Sequence, residues 1–390
     1  MWTDGVQRIA LWSVLLFVLV MDERSPAGTM RYQIAAVDGS TPSLITLHLK
    51  DALAQDAYGE IARQAKVPIK PWPANLWTQV PKVNIDVDRQ PFWRVMQQLA
   101  EQTGLAPGNA SREREILLRI SPAWARAPSY YGGCVLFVLD SINVSKSIDY
   151  TGLQQSLSNM YLRMSAYTDP NVDVLQMQML RPDEALDQNG NSFLGTRPLG
   201  SGMAHSVGSP WCWEVQQSLQ YTPGISKRIA RLKGSARFVL CTKRETWEVA
   251  DIQNAKDVVR QTPLATYTIK GLIGHDANVP AYQLKIQIKV PSYESPVANF
   301  SDIGRSIRLV DASGRAYTIS SSGGGGVGGG PLEHTITFND RDRDGQNVGP
   351  PVKLIWEIPV ETKDLIVPLE LNDLALPEPG TVAVRPHGPH

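Results

Sequence analysis

The chain has 390 residues, of which 42% are hydrophobic and 19% are charged, and Lys plus Arg equals Asp plus Glu at 38 each. This composition excludes a generally disordered chain, and the length predicts about two to four folded domains. The zero net charge, without a run of like charges, argues against nucleic acid as a partner.

The N-terminus carries a segment typical of exported proteins. Arg8 precedes thirteen apolar or small residues, 9–21, and the charged residues 22–24 end this run. A membrane-spanning helix needs about 20 such residues, whereas the core of a signal peptide needs about 7–15. Residues 1–30 are therefore predicted to be a signal peptide, with a short uncleaved anchor as the alternative. The expected location is the periplasm or cell envelope, with membrane contact only through residues 9–21 if they are retained.

Residues 45–69 and 83–105 repeat one pattern without a gap, 38 residues apart. Each copy begins with alternating apolar and polar residues, which is the period of a half-buried strand. Each copy continues with apolar residues at helical spacing, so that Ile61 and Leu99 are equivalent core positions. With a further strand at 112–120, this pattern predicts a small two-layer α/β repeat domain over residues 31–121.

The order of strand and short helix, with the helix ending in LAEQTGL (residues 99–105), resembles the short N-terminal domain of secretins and TonB-dependent receptors. The resemblance implies a periplasmic module that makes protein–protein contacts and has no catalytic residues. It covers residues 31–121 only, so that neither pore formation nor transport is implied.

Short apolar-alternating runs follow from residue 128 and predict an antiparallel β-sandwich over residues 128–250. Residues 251–262 lack the alternation and are predicted to be a linker. Trp211 and Trp213 stand at strand spacing, so both are expected on the same side of the sandwich core.

The last third repeats the β pattern, with about six or seven strands predicted over residues 263–376. We therefore expect an immunoglobulin-like sandwich there, followed by a disordered tail at 377–390. The predicted fold class is a multidomain α+β protein, in which a small α/β repeat unit precedes two antiparallel β-sandwiches.

The motifs for common chemistries are weak. Gly323, Gly325 and Gly328 formally match a phosphate-binding loop, but a strand rather than a helix is predicted to follow, which favours a flexible hairpin loop. His205 is the one histidine considered for catalysis, and a solvated loop residue is the favoured interpretation. A disulfide between Cys212 and Cys241 is left open, because the expected compartment is oxidising.

Asp340, Asp342 and Asp344 precede Gly345 in the order of the first half of an EF-hand loop. Position 12 of such a loop is Pro351, which has no side-chain oxygen, and the flanking segments are predicted strands. A solvated hairpin is therefore the main interpretation, and weakly bound calcium is the alternative. No other cofactor is predicted.

Trp72 and Trp77 lie among prolines between the two repeats. Exposed tryptophans on a stiff loop bind protein partners or stack on sugar rings, whereas folded-back tryptophans cover a small core. The predicted function is a non-enzymatic, exported envelope adaptor or scaffold that binds a protein partner. The alternative is a glycan- or cell-wall-binding module, and a hydrolase with an unrecognised site is a distant third.

Overall fold

The computed structural model describes residues 41–108, 115–146, 158–194, 203–206, 209–221, 227–274, 281–292, 295–298, 303–325, 330–342 and 345–377. These residues belong to one compact unit, built mostly of β-strands in several sheets. None of their helices is both long enough and apolar enough to cross a membrane. The predicted signal segment at 1–30 lies outside the described residues, as does nearly all of the predicted tail.

The first part of the chain, up to residue 120, contains most of the helix found among the described residues. Its elements are β1 (Leu44–Ala52), α1 (Ala54–Ala65), β2 (Ile69–Pro71), a 3₁₀-helix (Ala74–Gln79), β3 (Val83–Pro91), α2 (Phe92–Thr103), β4 (Leu105–Pro107) and β5 (Ile116–Ile120). β1 pairs antiparallel with β3, and β5 lies between β2 and β4 in a second small sheet. Both helices end at a left-handed residue, Lys66 and Gly104, and Ile61 and Leu99 are fully buried.

An antiparallel sheet follows, in the order β11-β12-β8-β7-β6. The strands of this part are β6 (Ser129–Gly132), β7 (Val135–Lys146), β8 (Ser158–Thr168), β9 (Val174–Met177), β10 (Arg181–Leu186), β11 (Met203–Ser206), β12 (Cys212–Gln220) and β13 (Arg228–Ala250). We call the sheet of β6, β7, β8, β11 and β12 the first sheet.

The remaining elements form a further antiparallel sheet and complete a central one. They are β14 (Val258–Gln261), β15 (Thr266–Ile273), β16 (Ala281–Lys289), α3 (Ile303–Ser306), β17 (Ile307–Asp311), β18 (Thr318–Gly325), β19 (Leu332–Asn339) and β20 (Pro351–Ala375). The last sheet has the order β14-β15-β16-β19-β18, and the central sheet has the order β10-β13-β20-β17, with β9 also paired to β13.

The central sheet is organised by two long strands, β13 with 23 residues and β20 with 25, which pair along their length. We call this pair the central ribbon. One half packs against the first sheet and the other half against the last sheet, which gives two separate hydrophobic cores. Each core therefore includes residues of β13 and β20, the two strands that it shares with the other core.

The two sandwiches lie on opposite faces of the central ribbon. Four even-numbered residues of β20 enter the core against the last sheet: Leu354, Trp356, Ile358 and Val360. Four odd-numbered residues enter the core against the first sheet: Leu365, Val367, Leu369 and Leu371. Because successive side chains of a strand point to opposite faces, the covered face changes between Val360 and Leu365. The polar residues 361–364 lie at this change.

This arrangement differs from the predicted domain boundaries. The predicted linker at 251–262 contains the strand β14, which pairs with β15. The end of the predicted last domain, residues 365–376, lies in the core of the middle one. The difference arises because pairing between residues 228–250 and 351–375 is long-range and has no local sequence signal.

A salt bridge joins the centre of the ribbon to the segment before β9. Arg244 donates to Asp173 from Nε at 2.7 Å and from Nη2 at 3.2 Å, and from Nη1 to the carbonyl of Glu357 at 3.0 Å. Leu175 of β9, two residues after Asp173, packs in the core against the last sheet. Val174 and Met177 of the same strand pack in the core against the first sheet. The β9 segment therefore contributes to both cores where they meet.

A buried aromatic cluster joins the first part of the chain to the first sheet. Trp93 of α2 lies 5.4 Å from Trp211 and 5.1 Å from Tyr167, measured between ring centroids. Its indole Nε1 donates to the carbonyl of Thr168 at 2.8 Å. Trp213 lies instead between the sheets of the sandwich. The expectation that both tryptophans share one side was therefore wrong, because Trp211 precedes β12 and packs on α2.

A buried carboxylate lies beside this cluster. Asp169 is 0% exposed and accepts hydrogen bonds from the backbone N–H of Ser43 at 2.7 Å, from the Ser43 hydroxyl at 2.9 Å and from the N–H of Asn171 at 3.0 Å. Burial raises the pKa of Asp169, and the bonds from Asn171 and Ser43 lower it in part. These bonds fix the start of β1 to the loop after β8.

Candidate functional site

The outer edges of β1 and β3 are closed by two glutamines at equivalent positions. Gln64 accepts from the N–H of Thr46 at 3.0 Å and donates to its carbonyl at 2.8 Å. Gln102 makes the same two bonds with Asn84, both at 2.9 Å. Thr46 and Asn84 are 38 residues apart, as are the two glutamines. Each side-chain amide thus replaces a neighbouring strand at one residue of an exposed edge.

Two further hydrogen bonds follow the same spacing. The side chain of Asn84 accepts from the N–H of Asp51 at 2.9 Å, and that of Thr46 accepts from the N–H of Arg89 at 3.0 Å. Asp51 and Arg89 both have positive φ, at 52° and 46°. Asp51 and Arg89 lie at the two irregularities in the pairing of β1 with β3. A side chain of the opposite strand binds each of them, which fixes both ends of this small sheet.

A groove of about 500 Å³ lies on the two-stranded sheet of β1 and β3, and it is our candidate site. The residues lining it are His48, Leu49, Lys50, Asn84, Ile85 and Asp86. His48 Nδ1 lies 2.6 Å from Asp86 Oδ1, and both side chains are exposed. The exposed side chains of the site are charged or polar, because Leu49 and Ile85 pair across the two strands and their side chains point to the opposite face, where Ile85 is buried. Charged groups of this kind suit contact with another protein.

The structure places Trp72 and Trp77 in different surroundings. Trp72 is 65% exposed. Trp77 is half-buried and lies 5.7 Å from the ring of the buried Tyr58, with an interplanar angle of 34°. Trp77 therefore covers the core of the first part of the chain, and Trp72 is the one of the two that is available to a ligand.

The aspartate-rich segment forms a turn between β19 and β20. Asp342 Oδ1 accepts from the N–H of Gln346 at 2.9 Å, and the N–H of Gly345, which has φ of 78°, donates to the carbonyl of Asp342 at 3.2 Å. Asp344 lies outside the described residues. Among the described ones, no three His, Cys, Asp or Glu side chains, Asp340 and Asp342 included, gather as they would around a metal ion. Calcium binding here remains a prediction.

The glycine run is partly strand. Gly323 and Gly325 belong to β18, Gly328 lies outside the described residues, and the next element is the strand β19. The run therefore lacks the helix N-terminus that a phosphate-binding loop needs. At Gly324 an added Cβ would lie 2.3 Å from Nδ1 of the buried His334, so this position requires glycine.

The cysteines are not joined by a disulfide. Cys212 is buried on β12, and burial raises the pKa of its thiol, which makes it a poor nucleophile. Cys241 is half-buried on β13, where its thiol donates to the carbonyl of Lys243 at 3.3 Å. His205 is exposed on β11, in a strand rather than the expected loop.

Sequence reasoning and structure agree on some of these residues and not on others. The alignment of Gln64 with Gln102 was visible in the sequence, but their bonds to the strand edges were not. The sequence does not predict the groove, because His48 and Asp86 come together only through the pairing of β1 with β3.

No family model matches the chain, and no curated protein matches it. Among solved structures, a conserved domain protein from Bacillus anthracis is 8% identical, over 63% of this chain and 89% of that one, with a TM-score of 0.17. A likeness this slight carries no argument about fold or function.

Proposed function

We propose that this chain is a non-enzymatic, exported protein of the cell envelope that acts as an adaptor or scaffold. In this proposal residues 31–121 are a partner-binding module like the short N-terminal domain of secretins and TonB-dependent receptors. Residues 263–376 contribute to an immunoglobulin-like sandwich that supports it.

The observation that supports this function most is the groove on β1 and β3. It is held on a rigid base, because the aromatic cluster at Trp93 and the carboxylate of Asp169 fix the first part of the chain to the first sheet. Its exposed side chains include the charged Lys50 and Asp86. Charged side chains favour a specific protein partner, since they guide association and limit the partners that fit.

The outer face of the central ribbon is a less suitable surface. There the charges of β13 are paired with those of β20, as in Arg228–Asp373 at 2.6 Å and Arg237–Asp364 at 2.5 Å. Exposed pairs of this kind contribute little. Asp86 of the groove is likewise paired with His48, so Lys50 is the groove charge that a partner can compensate.

The test is cross-linking in the native host, followed by isolation of the full chain and identification of what is joined to it. The double swap Lys50→Glu with Asp86→Lys keeps the net charge but reverses the groove, so it should remove the cross-linked partner. The matched control is Lys233→Glu with Glu370→Lys, which reverses a pair 3.5 Å apart on the ribbon. The groove proposal fails if both variants keep the partner, or if both lose it.

Export is tested separately. A fusion of residues 1–40 to a reporter active only outside the cytoplasm should give signal, because the apolar run at 9–21 has the length of a signal-peptide core. A stable but silent fusion would contradict export and leave the groove test unaffected.

Glycan binding is the second candidate, and the 65% exposure of Trp72 favours it. An indole so exposed can stack on a sugar ring. Co-sedimentation with cell-wall material separates the two functions. A glycan module should bind, should lose binding with Trp72→Ala and should keep it with the groove swap. An adaptor should not bind cell-wall material, whether unmodified or in either variant.

A further inference from the structure

The strand β18 is the edge of the last sheet and consists mostly of serine and glycine. It pairs with β19, and no described strand pairs with its other side. Its residues 320–325 read SSSGGG, and all six are exposed. An exposed edge of this kind leaves backbone N–H and C=O groups directed outward at alternate residues.

Edge strands usually carry features that prevent pairing with another chain, such as charges, proline or a very short length. The opposite edge of the same sheet is protected in this way. It is the four-residue strand β14, and Arg260 within it binds Glu245 at 2.8 Å. The glutamines that close β1 and β3 protect those edges at Thr46 and Asn84. Residues 320–325 of β18 have no charge and no proline.

We propose that β18 is a dimerisation edge, at which two copies of this chain join their last sheets by antiparallel pairing of β18 with β18. A twofold dimer places a strand antiparallel to its own copy, so a charge at or next to the axis would lie close to the same charge of the copy. Ser and Gly avoid that repulsion. They also let the second backbone approach without displacing a side chain, which suits pairing by main-chain hydrogen bonds. A second copy therefore fits this edge.

The test changes the edge without changing the fold. A Cβ added at Gly323 or Gly325 meets nothing within 4 Å, and neither residue has positive φ, so both accept a side chain. The variant Gly323→Lys with Gly325→Lys places four positive charges across the twofold axis of the dimer. The matched control is Val259→Lys, which adds an exposed charge to the opposite edge strand β14.

The measurement is the molar mass of the full chain in solution by sedimentation, with circular dichroism to confirm folding. The unmodified chain and Val259→Lys should give twice the 43.0 kDa monomer mass, and the double lysine variant should give the monomer mass. The protein concentration should reach about 100 μM, so that a dimer with a Kd of about 1 μM would be detected. A monomeric unmodified chain, a double variant that remains dimeric, or a monomeric Val259→Lys would each overturn the proposal.

Discussion

At the scale of the residue, the repeat has two parts that differ in how far sequence predicts them. The apolar positions predicted strands and helices, and Ile61 and Leu99 are both fully buried. The roles of Gln64 and Gln102 could not be predicted, because a glutamine amide is needed at a strand only where that strand has no neighbour. Which strand lies at an edge is decided by tertiary pairing, which the local pattern does not contain.

We expect Gln64→Ala and Gln102→Ala to lower the free energy of unfolding by similar amounts, about 1 kcal/mol each. Each removes two hydrogen bonds to a partly exposed strand edge that water can replace in part, and Gln64→Ala also removes a bond from Gln64 Nε2 to the carboxylate of Glu60 at 2.7 Å. Urea denaturation measures the change. Gln55→Ala is the control, since Gln55 is exposed on α1, the helix that carries Gln64. It should change stability by less than about 0.5 kcal/mol. A loss at only one of the two glutamines would contradict their equivalent role at the strand edges.

A second residue-scale prediction concerns Asp311. The Ser313 hydroxyl and the N–H groups of Gly349, Arg315 and Ser313 donate to its carboxylate and hold its pKa well below the usual range. A depressed folded pKa stabilises the protein above the unfolded pKa of about 3.9, and this contribution is lost as pH falls toward the folded pKa. Asp311→Asn should therefore lower stability at neutral pH.

Unfolding by urea, measured from neutral pH down to about pH 3, should show the gap between wild type and Asp311→Asn becoming smaller with acidity. The gap becomes smaller with acidity because the pKa of Asp311 is lower in the folded protein than in the unfolded chain. A gap that stays constant over this range would mean that the carboxylate charge contributes nothing and that only the shape of the turn is involved.

At the scale of the element, β13 and β20 show where sequence patterns mislead. The apolar residues on the two sides of residues 361–364 alternate out of phase, so the sequence alone does not show that one strand continues through them. The polar residues between them resemble a turn. In the structure they are strand residues at the position where neither face is covered, so the change of phase marks a change of partner sheet rather than the end of a strand.

This geometry predicts opposite results for two neighbouring residues of β20. Leu365 lies in the core with the first sheet, whereas Ile366 is 62% exposed. Leu365→Ala should lower the free energy of unfolding by about 2–5 kcal/mol because it leaves a cavity. Ile366→Ala should change it by less than about 0.5 kcal/mol. Chemical denaturation measures both, and a larger loss at Ile366 would reverse the assigned faces.

At the scale of the whole molecule, the β-rich architecture with several sheets was predictable, whereas the sharing of strands was not. Composition and period-two alternation indicate strands, but they do not say which strand pairs with which. The contact of Trp93 with Trp211 is similar: each tryptophan fits an ordinary core, and only the fold brings the α-helical part onto the outer face of the first sheet.

We expect Trp211→Ala to loosen this junction. The lost ring contacts with Trp93 and Tyr167 should cost about 3–5 kcal/mol, and hydrogen exchange of α1 and α2 should then become faster than that of the central ribbon. Trp356→Ala is the control, because it makes a cavity in the distant core and should leave the relative protection of the two helices unchanged. Equal effects of both variants would mean that the molecule opens only as a whole.

The central ribbon also sets the order in which this chain can acquire its structure. The core of the first sandwich needs Leu365–Leu371 of β20, so it cannot close while residues up to about 376 are still being synthesised. A contact between segments more than a hundred residues apart also slows folding, because a large loop must be closed first. Both sandwiches are therefore completed by the same late strand. A chain that emerges N-terminus first stays open until that strand arrives, which is the state in which a polypeptide can still be threaded through a membrane pore.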